Sequence, residues 1–252
     1  PNAPSDPPPA SDSSDAADLI DASRSAASLP AHFVEGPHLL SLHLEPLRRL
    51  LSSVVGGTAE PDAPALLWNH HASLARTFEK YAEAPTLLDP FLESLVGHLS
   101  DTCLLGIRRL ADGGDDGDDA ADRIASCLRP LLRTLYVLAK VRGRKAVRRL
   151  LGHETCDFGA VLTRLERTHA ACVADVHAGG TFEEDLPLRG SAAAAPASSA
   201  PPVPAHRGLW EARAVLLLWV GSMASVPFPL DTIDPTLPDR ALAVARACFP
   251  VP

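Results

Sequence analysis

Residues 89–110 read DPFLESLVGHLSDTCLLGIRRL, and this stretch decides the fold. Leu92, Leu95, Leu99, Cys103, Ile107 and Leu110 recur at steps of three and four. That spacing lays them along one face of a helix with 3.6 residues per turn. Pro90 fits only the first helical turn, where its missing N–H would find no partner anyway. Asp89 is therefore expected to cap the helix from the position before it.

Moving outward, the same periodicity returns on both sides. Leu67, Leu74, Phe78 and Tyr81 form an earlier stripe, preceded by Leu40, Leu44, Leu47, Leu51 and Val54. Pro46 stands inside that first run and predicts a kink or a restart. Downstream, Ile124, Leu128, Leu131, Leu135 and Leu138 continue the pattern around an internal Pro130. Shorter runs cover 145–151 and 158–176. Arg213–Val226 is apolar on nearly every side, which predicts a helix buried between neighbours. Leu242–Phe249 begins one more. No segment alternates with period two, so the fold class is all-α. Consecutive helices on short connections predict a HEAT/armadillo-like α-solenoid of antiparallel helix pairs. A compact helical bundle is the alternative.

Composition agrees with helices. The 252 residues are 46% apolar but only 5% aromatic, with two Tyr against 24 Pro. Few β-formers argue against a sandwich or barrel. The net charge of −8 is unevenly placed. Residues 1–30 carry five Asp and one Arg, and residues 111–122 carry six Asp and no base. The remainder is slightly positive, so neither half of the balance suits a nucleic-acid binder. Five cysteines without a CxxC point to a reducing compartment rather than a disulfide framework. The longest apolar stretch, Ala214–Ala224, is too short to span a bilayer, which takes about 20 residues. The chain reads as soluble and intracellular. It begins at Pro1 without Met, which suggests a fragment.

Four regions follow. Residues 1–30, rich in Pro, Ser and Asp, are expected to be disordered. Residues 31–176 hold helical repeats with an acidic loop at 111–122. Residues 177–206 are a low-complexity linker or insertion; positions 190–206 alone hold seven Ala, four Pro and three Ser. Residues 207–252 continue the repeats and read as truncated, with an apolar edge prone to aggregation.

Catalytic motifs are missing from the sequence: there is no GxGxxG after a strand, no GxxxxGK[ST], no HExxH and no GxSxG. His70 and His71 are adjacent, so on a helix they point about 100° apart and do not share a metal. An EF-hand loop started at Asp112 would place Gly114 and Arg123 at ligand positions, so the match fails. His153-x2-Cys156 and His169-x2-Cys172 together offer four zinc-ligand types. His169 and Cys172 also continue the apolar stripe of Phe158, Leu162 and Leu165, and core packing is the preferred account. Arg142, Arg144, Lys145, Arg148 and Arg149 place five cations within eight residues. They are either a solvated helix face or a docking patch for an acidic partner.

Three ordered stretches carry a resemblance. Phe78-Glu-Lys-Tyr81 leads to Pro85-Thr-Leu-Leu88-Asp89-Pro90-Phe-Leu-Glu93. Lys140, Val141, Arg142, Gly143 and Lys145 lead to Arg149-Leu-Leu-Gly-His153-Glu154. Trp210, Glu211 and Arg213 lead through Trp219 to Pro227-Phe228. In order and spacing they resemble the N-terminal region of the tubulin-folding cofactor D family over about residues 66–235. Pro229 stands where that family carries Asp, and 111–122 and 190–206 read as insertions.

The resemblance implies a HEAT-repeat solenoid that acts by binding, with no catalytic residue, cofactor or metal of its own. It implies β-tubulin as client, with assembly and disassembly of the αβ heterodimer. It further implies stimulation of tubulin GTP hydrolysis together with cofactors C and E and an Arf-like small GTPase. A cytoplasmic, microtubule-associated location follows. Tubulin is acidic, so Arg142, Arg144, Lys145, Arg148 and Arg149 are candidate contacts. Tyr81, Pro85, Leu88, Asp89, Pro90, Lys140, Val141, Gly143, His153, Glu154, Trp210, Glu211, Arg213, Trp219, Pro227 and Phe228 match the motifs and are expected to be structural. Glu211 and Arg213, two apart, do not pair on one helix face and are expected to join neighbouring repeats. A generic α-solenoid scaffold with a different partner shares the periodicity and lacks only the three motifs.

Overall fold

A computed structural model describes residues 36–58, 62–112, 118–177 and 208–249. The expected tail at 1–30 and the low-complexity stretch after His177 lie outside the described residues. Among those described, every regular element is helical. After a short helical lead-in at Gly36–Leu39 and Leu40–Leu44 come α1 (Glu45–Val55), α2 (Ala63–Lys80), α3 (Asp89–Ala111) and α4 (Asp118–Arg142). Then follow α5 (Arg144–Arg148), α6 (Phe158–His177), α7 (Leu209–Met223) and α8 (Leu237–Cys248).

The prolines resolve as their chemistry requires. Pro46 lies in the first turn of α1, so the chain restarts there, after one π-helical turn at Leu40–Leu44. Pro130 stays inside α4, which runs through it because α4 packs against α1, α2, α3, α5 and α7. Tertiary burial outweighs the lost hydrogen bond there. Two expectations change. Asp89 is the first residue of α3 and makes no capping bond, while Leu88 precedes it in helical conformation. The acidic loop is shorter than 111–122: Ala111 closes α3, and Asp119 and Asp122 already belong to α4. Carboxylates suit a helix start, where backbone N–H groups lack partners, so acidic composition concealed the helix.

The helices form two layers. α1, α3, α6 and α8 stack in that order as one layer, and α2, α4 and α7 stack as the other. Helices within a layer run the same way. Gly159 and His169 of α6 meet Leu237 and Cys248 of α8. Successive helices of opposite layers are antiparallel: Asp89 at the start of α3 meets Arg142 at the end of α4. This is the helix-pair solenoid that the periodicity predicted.

One apolar core runs between the layers, with Leu74, Phe78, Leu95, Leu135, Phe158, Leu216 and Trp219 fully buried. At Gly106 a methyl group would lie 2.9 Å from Leu128 Cδ2, so glycine lets α3 and α4 approach. Ion pairs tie neighbours within the first layer: Arg108 to Asp157 at 2.6 and 2.7 Å, and Arg240 to Glu166 at 2.7 and 3.1 Å.

Candidate partner-binding surface

Alternation of layers gives the solenoid two edges. One edge gathers the connections α2 to α3, α4 to α6, and α7 to α8. The first two motif stretches fall on the first two of these connections or on the helix turns that flank them, while the third runs the length of α7, from Trp210 in its first turn to Pro227-Phe228 on the third connection. The sequence places them far apart, at 78–93, 140–154 and 210–230; the fold brings the first two and the end of the third to one edge, with Trp210, Glu211 and Arg213 in the first turns of α7, away from it.

Much of each motif builds its connection. Tyr81 is buried where α2 ends, and Pro85 starts the 3-10 turn Pro85–Leu88, with Leu88 fully buried. Pro90 sits in the first turn of α3. Arg142 grips Asp89 side-on, donating from Nε to Oδ1 and from Nη2 to Oδ2, the latter at 2.7 Å. The Arg142 hydrogen bonds hold the Asp89 carboxyl below its ordinary value. Arg142 is therefore paired within the fold, unlike the four cations that follow it. Gly143 has φ +105°, a backbone region that side-chain-bearing residues rarely adopt, and it separates α4 from α5. Val141 packs half-buried against the core.

The third motif stitches α7 to its neighbours. Trp219 is fully buried, and its Nε1–H donates to the Gly152 carbonyl at 2.6 Å. Glu211 Oε1 meets Arg133 Nε of α4 at 3.0 Å, with both side chains nearly out of water. Arg133 also lies over the Trp68 ring of α2, 5.7 Å from its centroid. Trp210 stacks edge-on with Tyr136, centroids 5.0 Å apart. Glu211 thus joins repeats as expected. Arg213 does not: it is half-buried and faces an open groove between α7 and α8.

Other motif residues reach solvent. Lys140, His153, Glu154, Pro227 and Phe228 are exposed, so core packing gives no reason for their place in the pattern. Arg144, Lys145, Arg148 and Arg149 are exposed too, and no side-chain ion pair holds them among the described residues. The backbone beneath them is fixed: the Arg148 carbonyl accepts from Ser222 Oγ of α7 at 3.1 Å. These four cations form a rigidly mounted positive surface in the middle of the motif-bearing edge.

The remaining candidates separate. His71 meets Thr134 Oγ1 at 2.9 Å, whereas His70 meets His43 at 3.1 Å, as divergence on a helix demands. Burial holds His43 and His70 below the ordinary histidine value, and their proximity adds to this at His43. The two His/Cys pairs do not assemble: His153 and Cys156 are exposed, Cys172 is buried, and His169 contacts Cys248 Sγ at 3.4 Å. Among the described residues no group of three or more His, Cys, Asp or Glu is arranged to hold a metal ion. No helix there is long and apolar enough to cross a membrane.

The groove was missed by sequence reasoning. Its volume is about 940 Å³, and α7, α8 and the α4–α5 corner line it. The signal was present in Arg213–Val226, apolar on all sides, which predicted neighbours on every face. α4, α5 and α6 pack against α7, and the part of it that carries Ala214, Leu217, Leu218 and Gly221 lines the groove.

No curated protein and no solved structure gives a significant match to the chain. The family model for the tubulin-specific chaperone D-like ARM repeat matches residues 78–247, from the end of α2 to the end of α8. That interval is more than half of the chain and holds all three motif stretches and the edge they build, and the chain belongs to this family.

Proposed function

We propose that this chain is a client-binding segment of a tubulin chaperone. It holds β-tubulin through the edge that carries the three motif connections, with Arg144, Lys145, Arg148 and Arg149 as the electrostatic contact. The observation that carries the reading is the family match together with the gathering of its first two motifs and the end of the third on one edge. Four exposed cations on a fixed backbone suit an acidic client, because a cluster of like charge steers encounter and sets register.

In this reading the chain has no catalytic group of its own. It takes part in assembly and disassembly of the αβ heterodimer, and in stimulation of tubulin GTP hydrolysis, alongside cofactors C and E and an Arf-like small GTPase. The place of action is the cytoplasm, next to microtubules.

The test is retention of purified αβ-tubulin by the immobilised chain at low and moderate salt. A variant reversing Arg144, Lys145, Arg148 and Arg149 to Glu is run beside it, with Arg142 left in place to keep Asp89. Retention by the wild-type chain and loss in the folded variant is the expected result. Retention unchanged by reversal removes the cations from the contact. No retention by a well-folded chain sinks the client assignment and returns the generic scaffold reading.

A further inference from the structure

Arg144, Lys145, Arg148 and Arg149 occupy positions i, i+1, i+4 and i+5 of α5 and the residue that ends it. At 100° per residue they share an arc of about 140° and a rise of about 7.5 Å. Val147 points the other way and is buried. All four cations are exposed, while Ala146 and Leu150 are half-buried against the core. Residues 144–150 therefore offer charge and no exposed apolar side chain. The rise is within a Debye length of about 8 Å in physiological salt, so the four act together as one multivalent site.

This corner stands inside the array, with the α2–α3 connection before it and the α7–α8 connection after it, so a further repeat is not needed to complete its surroundings. The chain's own acids are placed elsewhere. Asp89 is taken by Arg142. Residues 111–122 lead into the start of α4, whereas the cations follow its end, about 37 Å away along 25 residues of helix. The five Asp of residues 1–30 are never closer than three positions apart. Beyond these, the one run of consecutive acids is Glu183-Glu184-Asp185, outside the described residues, with three carboxylates for four cations.

What binds such a face is set by what it lacks. A stable contact between two folded surfaces has a dry centre of anchoring side chains ringed by polar groups. Here the centre itself is charge. Consecutive Glu or Asp in an extended segment matches it, because side chains follow one another every 3.3 Å or so and bring a carboxylate to each cation over about four or five residues.

We propose that the α5 corner is a docking site for a run of consecutive acidic residues in an extended segment of a partner protein. The inference rests on the client reading for the role of these cations, and it specifies what they receive: an acidic segment, not a folded acidic surface.

The test uses the full chain and a labelled peptide of eight consecutive glutamates, followed by fluorescence anisotropy. A twin peptide carries eight glutamates, each followed by Gly-Ser, so that charge is equal and density is not. Arg144→Gln/Lys145→Gln and Arg148→Gln/Arg149→Gln each remove half of the cluster. Arg48→Gln/Arg49→Gln removes the same charge from exposed positions of α1. All three variants are first checked for unchanged helicity and melting. The glutamate run is expected to bind the wild-type chain at least fivefold more tightly than its twin. Each half-cluster variant is expected to weaken it at least fivefold, and the α1 variant to bind as the wild type does. Absence of binding, equal binding of the twins, or equal losses in all three variants overturns the proposal. So does tighter binding of single-stranded DNA with eight phosphates. A Glu183→Gln/Glu184→Gln/Asp185→Asn chain that binds where the wild type does not also overturns it, by giving the face to the chain's own run. Tubulin retention separates the two readings. Tubulin lost on charge reversal, without preference for the run, sinks this inference and keeps the client. Preference for the run without tubulin retention keeps the site and removes the client.

Discussion

Replacing Glu211 by Leu probes the buried ion pair between α4 and α7. In the wild type, Glu211 Oε1 and Arg133 Nε stand 3.0 Å apart, and their side chains keep 3% and 10% of their exposure. Removing the carboxylate leaves the Arg133 guanidinium nearly dry beside an apolar side chain. Loss of one partner from a buried pair costs about 3–5 kcal/mol. In a domain of this size each kcal/mol moves Tm by about 2–4 °C, so the single variant is expected to melt roughly 6–20 °C lower. Arg133→Met removes the cation that faces the Glu211 carboxylate and also the cation over Trp68, a contact worth about 0.5–2 kcal/mol. The double variant Arg133→Met/Glu211→Leu buries no charge, and well-packed apolar replacements of such pairs are often neutral or stabilising. The expected signature is therefore a double variant more stable than either single one, read by thermal melting followed by circular dichroism. Single variants that each shift Tm by under about 2 °C, or effects that simply add in the double variant, refute the argument, since contacting residues couple by about 0.5–3 kcal/mol.

Gly143→Ala meets no atom within 4 Å of the new methyl group, so its cost is conformational alone, about 1–3 kcal/mol at φ +105°; urea unfolding measures it. Asp89→Asn removes a bidentate but largely solvent-exposed partner of Arg142, so the loss stays within about 1 kcal/mol at neutral pH. Because the folded Asp89 carboxyl lies below its ordinary value, its contribution is present at neutral pH and vanishes as pH falls through that depressed value; in acid the wild type and Asp89→Asn therefore converge in stability. His43 and His70 are also held low on folding, chiefly because burial favours their neutral forms. Their contribution is complete above the unfolded value of about 6.5 and declines as pH drops below it, and a His70→Gln variant is expected to show a flatter Tm-against-pH curve between pH 7.5 and 5.

The layers were legible because burial follows periodicity. Leu92, Leu95, Leu99, Cys103 and Ile107 are all buried on one face of α3, as their spacing predicted. Trp219 was legible as core for the same reason. Asp89 reads as a cap because a carboxylate before a proline is a helix-start signal, but the same carboxylate also serves an ion pair, and only the position of Arg142, 53 residues away, decides between them. The fate of Arg142 was hidden by the same distance. Without a partner in view, five clustered cations read as one patch, yet Arg142 points to Asp89 while the other four face solvent. The Arg133–Glu211 tie was half legible: Glu211 stood in a motif, but nothing local marks Arg133 as its counterpart. The edge that gathers the motifs depends on which helices share a layer, and that is a property of the stacked array, not of any segment.

The shared direction of helices within each layer has an electrostatic consequence for the motif-bearing edge. Aligned peptide dipoles leave about half a negative charge at each helix C-terminus. α4 and α7 both end on this edge, next to Arg144, Lys145, Arg148 and Arg149. The cations therefore serve two masters: part of their field is spent on carbonyl ends of their own fold, and only the remainder reaches outward. A docked acidic surface then competes with an internal counter-charge, so salt should weaken docking less steeply than four independent cations would require. Reversing the cluster carries a second penalty for the same reason, because four glutamates would crowd two negative helix ends and loosen the last turns of α4 and α7.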